Sequence, residues 1–310
     1  MTTDLKNQIV QELENYLELH KMSANEFVKK SGINEAYVSN MRNKSFKIGP
    51  TEIAERWFEK VAQFIGLALK KSYWTPVQTN QMTAMMPILE DSKEHGLTNV
   101  VIGETGSGKT FNSELFAKAN PLDTFIVKVG SSDNLSDLID KILEGAKIPH
   151  SKTKSKNING IVKFMQKQKF DGLKPQLIFD ECEYMKQPTL GMMKEFYDDL
   201  KGHCSIVLIG TDELIDNLDK LRKRKKAGMR QFYRRIKFGI RVLPNIDKNY
   251  RGFLDNIQDK GLLRFLKSNC ENYGELHDCL VPAMREADRT GEPLTELFVR
   301  KVLNIPTSMF

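Results

Sequence analysis

Gly103-Glu104-Thr105-Gly106-Ser107-Gly108-Lys109-Thr110 matches the spacing G-x-x-x-x-G-K-[ST] at every fixed position. Residues of these types in this order can hold a nucleoside triphosphate. Glycines let the backbone bend tightly, so that successive N–H groups face inward as an anion nest. Lys109 then reaches the β- and γ-phosphates, and the Thr110 hydroxyl ligates Mg²⁺. A helix starting near Thr110 would point its positive end at the same phosphates. Further along, Gln176-Leu177-Ile178-Phe179-Asp180-Glu181 is an apolar run closed by two adjacent carboxylates. Asp180 is placed to hold Mg²⁺ through water and Glu181 to polarise the attacking water. A glycine-rich turn or a pair of acids alone would mean little; together and in this order they specify ATP and Mg²⁺ as cofactors.

These residues need a scaffold. Asn99-Val100-Val101-Ile102 before the loop has a buried-strand pattern, and Phe111 to Ala119 after it predicts a helix with Leu115 and Phe116 on the apolar side. Strands are also predicted over 124–129, 176–180, 205–209 and 236–243, with helices over 136–144, 158–169 and 188–201 between them. The fold class is therefore α/β, a five-stranded parallel sheet. A helix over 81–95, interrupted near Pro87, leads into it, and residues 247–304 are expected to be helical again.

Ahead of this core, Leu5, Ile9, Leu13, Tyr16 and Leu17 form a helical stripe. Ser23 and Glu26 make a capping box for a helix from Ala24 to Lys30, and a second short helix runs from Asn34 to Asn43 after the turn Ser31-Gly32-Ile33. Counting from Ala24, Gly32 is ninth, and the apolar Phe27, Ile33, Val38 and Met41 fall where a repressor-type helix-turn-helix buries them, although Val28 stands where alanine is usual. The second helix would present Asn34, Glu35, Ser39, Asn40 and Asn43 to a DNA major groove; a protein-interaction domain of the same shape is the alternative. A further helix is predicted over 52–69. The expected organisation is a helix-turn-helix domain over 1–70, a linker over 71–80, an ATPase core over 81–246 and a helical lid over 247–310.

The net charge of +7 is uneven: residues 220–241 hold eleven Lys/Arg and no acid, so the rest of the chain sums to −4. Lys223, Arg224, Lys225 and Lys226 form its densest run, and Lys152, Lys154 and Lys156 open a second acid-free stretch. Concentrated positive charge beside an ATP site favours a polyanion, and nucleic acid is the expected partner. Residues 1–70, with ten basic and nine acidic side chains, would bind DNA weakly on their own. No apolar run is long enough for a membrane span, so no membrane partner is expected. The four cysteines lack C-x-x-C spacing and read as reduced, buried thiols of a cytoplasmic protein.

The acid pair separated from the phosphate loop by a further strand resembles the catalytic-glutamate ATPases, and Thr211, ending Ser205–Gly210, resembles sensor 1 of the AAA+ family. The whole arrangement resembles the Mu B-like AAA+ ATPases, target selectors of transposition whose relatives include TnsC and IstB. The resemblance rests on Thr75-Pro76-Val77-Gln78-Thr79, on Gln231-Phe232-Tyr233-Arg234-Arg235-Ile236 and on Gly291-Glu292 through Arg300-Lys301-Val302-Leu303. It implies that Val77 and Thr79 lie near the adenine, that Arg235, with Arg234 in reserve, is an arginine finger, and that His277 occupies the sensor 2 position where arginine is common. It implies subunits that assemble on duplex DNA as a helical filament or ring, present it to a cognate transposase, and disassemble on hydrolysis. A helicase or replication loader, or an ATP-gated transcription regulator, are the other readings of the same motifs.

Overall fold

The computed structural model describes residues 1, 3–67 and 73–306. It divides into two units, Met1–Ser72 and Tyr73–Phe310. The last residues of the predicted 52–69 helix, the start of the linker and the last four residues of the lid lie outside the described residues.

The first unit contains α1 (Thr3–Leu19), α2 (Ala24–Ser31), α3 (Glu35–Arg42), a hairpin of β1 (Lys47–Ile48) and β2 (Thr51–Glu52), and α4 (Glu55–Phe64). The capping box forms: the Glu26 N–H donates to Ser23 Oγ at 3.3 Å and the Ser23 N–H to Glu26 Oε2 at 2.9 Å. Phe27, Ile33, Val38 and Met41 are buried and meet Ile9, Leu13, Phe58 and Val61 in one core. The helix predicted from residue 52 starts three residues later, because Thr51 and Glu52 pair back onto Ile48 and Lys47 across the Gly49-Pro50 turn.

The second unit opens with α5 (Asn80–His95), followed by β3 (Thr98–Ile102), α6 (Lys109–Ala119), β4 (Thr124–Lys128), α7 (Leu135–Gly145), α8 (Lys154–Phe170) and β5 (Gln176–Asp180). Next come α9 (Gln187–Leu200), β6 (Ser205–Gly210), α10 (Asp212–Lys223), α11 (Met229–Ile236) and β7 (Ile240–Val242), then α12 (Lys260–Asn269), α13 (Tyr273–Thr290) and α14 (Glu296–Val302). The five strands β3–β7 form one parallel sheet in the order β4-β5-β6-β3-β7. Successive strand residues alternate between faces. Val100, Leu177, Phe179, Ile206 and Leu208 join the larger core, while Val101, Ile178, Val207 and Ile209 pack with Met85, Leu89 and Phe116 of α5 and α6.

Several local expectations are corrected. Pro87 does not interrupt α5: it is exposed on the helix, where water can satisfy the carbonyl it leaves free, and Met85 and Leu89 anchor the turns beside it. Leu115 faces outward and only Phe116 is buried. The helix predicted from Ile158 begins at Lys154, because Thr153 caps it by accepting from the Lys156 N–H. Ile236 ends a helix and does not start a strand; Met229, Phe232 and Ile236 are buried at spacings of three and four, the helical period. Residues 247–259 are irregular, held by the buried Tyr250, whose hydroxyl donates to the Cys270 carbonyl at 2.5 Å. No helix among the described residues is long and apolar enough to cross a membrane.

Candidate nucleotide site

The ends of β3, β5 and β6 open into a cleft of about 470 Å³ beneath α13. The phosphate loop leaves β3 at Gly103, whose N–H donates to the Gly210 carbonyl at 3.1 Å, so the loop starts locked to the end of β6. Gly106 (φ +69°) and Gly108 (φ +85°) take the left-handed conformation that turns the chain into α6. Lys109 Nζ donates to the Gly103 and Glu104 carbonyls at 2.8 and 2.7 Å. Burial lowers its pKa, opposed by the neighbouring carboxylates of Glu183, Asp180, Glu104 and Glu181.

Across the loop, the Thr110 hydroxyl donates to Asp180 Oδ2 at 2.5 Å. Asp180 is buried at the end of β5, and the Glu181 N–H donates to its other oxygen at 3.0 Å. Glu181 sits at φ +59°, a strained conformation for a residue with a side chain, and its carboxylate pairs with Lys128 at 3.1 Å. Thr211 lines the same cleft; its hydroxyl is buried with no hydrogen-bond partner, as is that of Ser107 in the loop. Unpartnered buried hydroxyls of this kind beside the cleft are groups that an oxyanion-rich ligand would satisfy. Thr110 and Asp180 supply two oxygen ligands, which suits Mg²⁺, an ion that fills its shell with water and phosphate oxygens. No cluster of three or more His, Cys, Asp or Glu forms an all-protein metal site among the described residues.

Val77 lines the cleft, as does Thr79, although the Thr79 hydroxyl caps α5 by accepting from the Met82 N–H at 3.1 Å. Sequence reasoning missed the aromatic wall beside them. Trp74 stacks on Phe253 at 4.6 Å between centroids, and Phe253 meets Tyr273 at 5.3 Å. His277 is also there, edge-on to Trp74, with Nδ1 2.9 Å from Asp278 Oδ1. α13 begins on the phosphate loop itself: the Tyr273 N–H donates to the Gly106 carbonyl at 3.2 Å. Glu183 was missed too, and its signal was present as a third acid two residues past Glu181. Cys182, between them, is fully buried, and burial pushes its thiol well up, consistent with packing alone.

Residues expected outside the cleft divide differently. Arg235 is held by Asp198 through two bonds of 2.6 and 2.9 Å, whereas Arg234 beside it is exposed. Lys223, Arg224, Lys225 and Lys226 are exposed at the end of α10, and Lys152, Lys154 and Lys156 around the start of α8, without ion pairs among the described residues. In the first unit, Asn34 Oδ1 accepts from the Ala36 N–H and Asn40 Nδ2 donates to the Ala36 carbonyl, both at 2.8 Å, so these two side chains serve α3 itself. Glu35, Ser39 and Asn43 are exposed, and Arg42, not singled out from sequence, is bound by Glu14.

Residues 92–218 match a family model described as an AAA domain. This part of the chain is an AAA-type P-loop ATPase domain. A search of curated proteins finds no match to the chain. The chain is similar in fold to the ORC2 protein of Aeropyrum pernix in ADPNP–ADP complexes: 15% identity, TM-score 0.54, covering 77% of this chain and 71% of that one. Cdc6p from Pyrobaculum aerophilum gives 13%, 0.56, 77% and 71%. The Aeropyrum pernix ORC1 protein in complex with DNA gives 14%, 0.51, 75% and 66%. At such identities the likeness is one of fold.

Proposed function

We propose that this protein is a Mg²⁺-dependent ATPase that assembles on duplex DNA in its ATP state and delivers that DNA to a transposase, with hydrolysis ending the assembly. The observation carrying the ATPase reading is the convergence of Lys109, the Thr110–Asp180 pair, Glu181 and Thr211 on one cleft. Thr110 and Asp180 would hold the ion, Glu181 would orient the attacking water, and Thr211 would meet the γ-phosphate. The exposed basic run Lys223–Lys226 supports a phosphate-backbone partner, and α3 and the start of α8 are further candidate contacts. The transposition role rests on the resemblance of the segments at 75–79, 231–236 and 291–303. A replication initiator or helicase loader is the second reading, favoured by the fold shared with ORC and Cdc6 proteins, one of them in complex with DNA.

Electron microscopy with duplex DNA and a slowly hydrolysed ATP analogue tests the proposal. Coating of arbitrary duplex by the wild type, lost in Lys109→Ala, is expected. Binding confined to one defined sequence, or coating indifferent to nucleotide and to Lys109, would overturn it.

A further inference from the structure

Glu183 lies in the short turn after β5, in the sequence Asp180-Glu181-Cys182-Glu183. Neighbours fix the turn independently of it. Cys182 and Met185 are buried, and Asn217 Nδ2 of α10 donates to the Met185 carbonyl at 3.1 Å. From this base the Glu183 carboxylate reaches across to the end of β6. Its Oε2 accepts from the Thr211 N–H at 3.4 Å and packs so closely on Gly210 that a Cβ there would lie 2.8 Å from it. Gly210 has no positive φ, so a side chain there would meet no backbone strain but would push the Glu183 carboxylate aside.

The carboxylate also faces the cleft, where of four acids it acts most strongly on Lys109. Thr211 precedes α10, but its side chain makes no capping bond, and its buried hydroxyl has no partner. A threonine at that position ordinarily turns its oxygen back onto the helix N–H groups. Here Glu183 holds the amide of Thr211 itself while the hydroxyl stays uncommitted.

We propose that Glu183 is a positioning residue of the hydrolytic site: by accepting from the Thr211 amide it aims the Thr211 hydroxyl at the phosphate end of the cleft. The inference rests on the ATPase reading above. It assigns Glu183 no contact with water or phosphate; Glu181 keeps the role of orienting the nucleophile.

The test compares three substitutions in the full chain, scored for ATP binding, KM and kcat. Glu183→Ala removes the acceptor and should lower kcat about tenfold or more, the scale of a small misplacement of a catalytic group, with KM and ATP stoichiometry little changed. Glu183→Gln keeps an acceptor oxygen and should restore kcat close to wild type. Gly210→Ala leaves Glu183 in place but displaces its carboxylate, so it should reproduce the Glu183→Ala loss, and the double variant should lose no more than either single one. Equal damage in Gln and Ala, or a Gly210→Ala loss that adds to that of Glu183→Ala, would overturn the positioning role while leaving the ATPase reading intact. A wild type that binds but never hydrolyses ATP would overturn both. Wild-type kcat in Glu183→Ala would remove the inference alone.

Discussion

Four carboxylates, Glu183, Asp180, Glu104 and Glu181, act on the single charge of Lys109. A site with that excess of negative charge would repel a triphosphate, unless loop amides and a divalent cation supply the balance. Each acid therefore needs a separate task, and the geometry separates them. Asp180 is buried against Thr110, Glu183 is turned onto Thr211, and Glu104 Oε2 accepts from the Ile246 N–H at 3.3 Å. Glu181 also lines the cleft, and among the described residues its carboxylate pairs with the exposed Lys128 alone. Its left-handed backbone is strain of the kind that persists where a side chain must point in one direction. Glu181→Gln should therefore bind ATP as the wild type does and hydrolyse it at least about a hundredfold more slowly, the usual scale for a lost general base. Single-turnover hydrolysis measured beside equilibrium binding checks this; wild-type turnover would assign the water to another residue.

Among the elements, the junction of phosphate loop and α13 matters most. Asn272 caps α13 by accepting from the Glu275 N–H at 2.9 Å, and the same side chain fills the space beside Gly106. A Cβ on Gly106 would lie 2.3 Å from Asn272 Oδ1. Gly106→Ala would thus meet both left-handed strain, about 1–2 kcal/mol, and a collision with a side chain already engaged in its cap. A fall in Tm of roughly 2–8 °C is expected for a unit of this size, with weaker ATP binding, and an unchanged melting curve would show that α13 does not rest on the loop. This contact was not legible in the sequence, since nothing in Gly106 or Asn272 announces the other. Legible were features whose cause is local: the capping box at Ser23 and Glu26, the glycine spacing of the loop, and apolar runs ending in Asp180 and Thr211. The sheet also followed from pattern, because parallel strands buried on both faces read as continuous apolar runs. Errors came where a short segment carried two periods at once, as at Ile236. They also came where only tertiary packing selects a residue, as with Trp74, Phe253 and Tyr273 around the cleft.

On the scale of the whole molecule, the positive charge of residues 220–241 serves more than one purpose. Arg222 pairs with Asp219 and lies over Tyr233, and Arg235 is bound by Asp198, so these cations hold α9, α10 and α11 together. Lys223 to Lys226 and Arg234 remain exposed. The resemblance gives Arg235 first place as the arginine finger, but a guanidinium already engaged twice by Asp198 would have to leave that partner to reach a neighbour's phosphate. Arg234, one position earlier, is exposed and has no ion pair among the described residues, so it has no such bond to give up. We therefore expect Arg234→Ala to bind ATP but lose about 10³–10⁵ in assembly-stimulated hydrolysis, the range for known fingers. Arg235→Ala should chiefly lower stability through the lost pair with Asp198. Mixing tests the assignment, because Arg234→Ala and Lys109→Ala should each be inactive alone while a mixed interface joins an intact cleft to an intact finger. ATPase activity on mixing, above the sum of the two separate variants, is the expected result. If mixed assemblies form but only the pairing of Arg235→Ala with Lys109→Ala recovers activity, the finger is Arg235, and its bond to Asp198 must break when subunits meet.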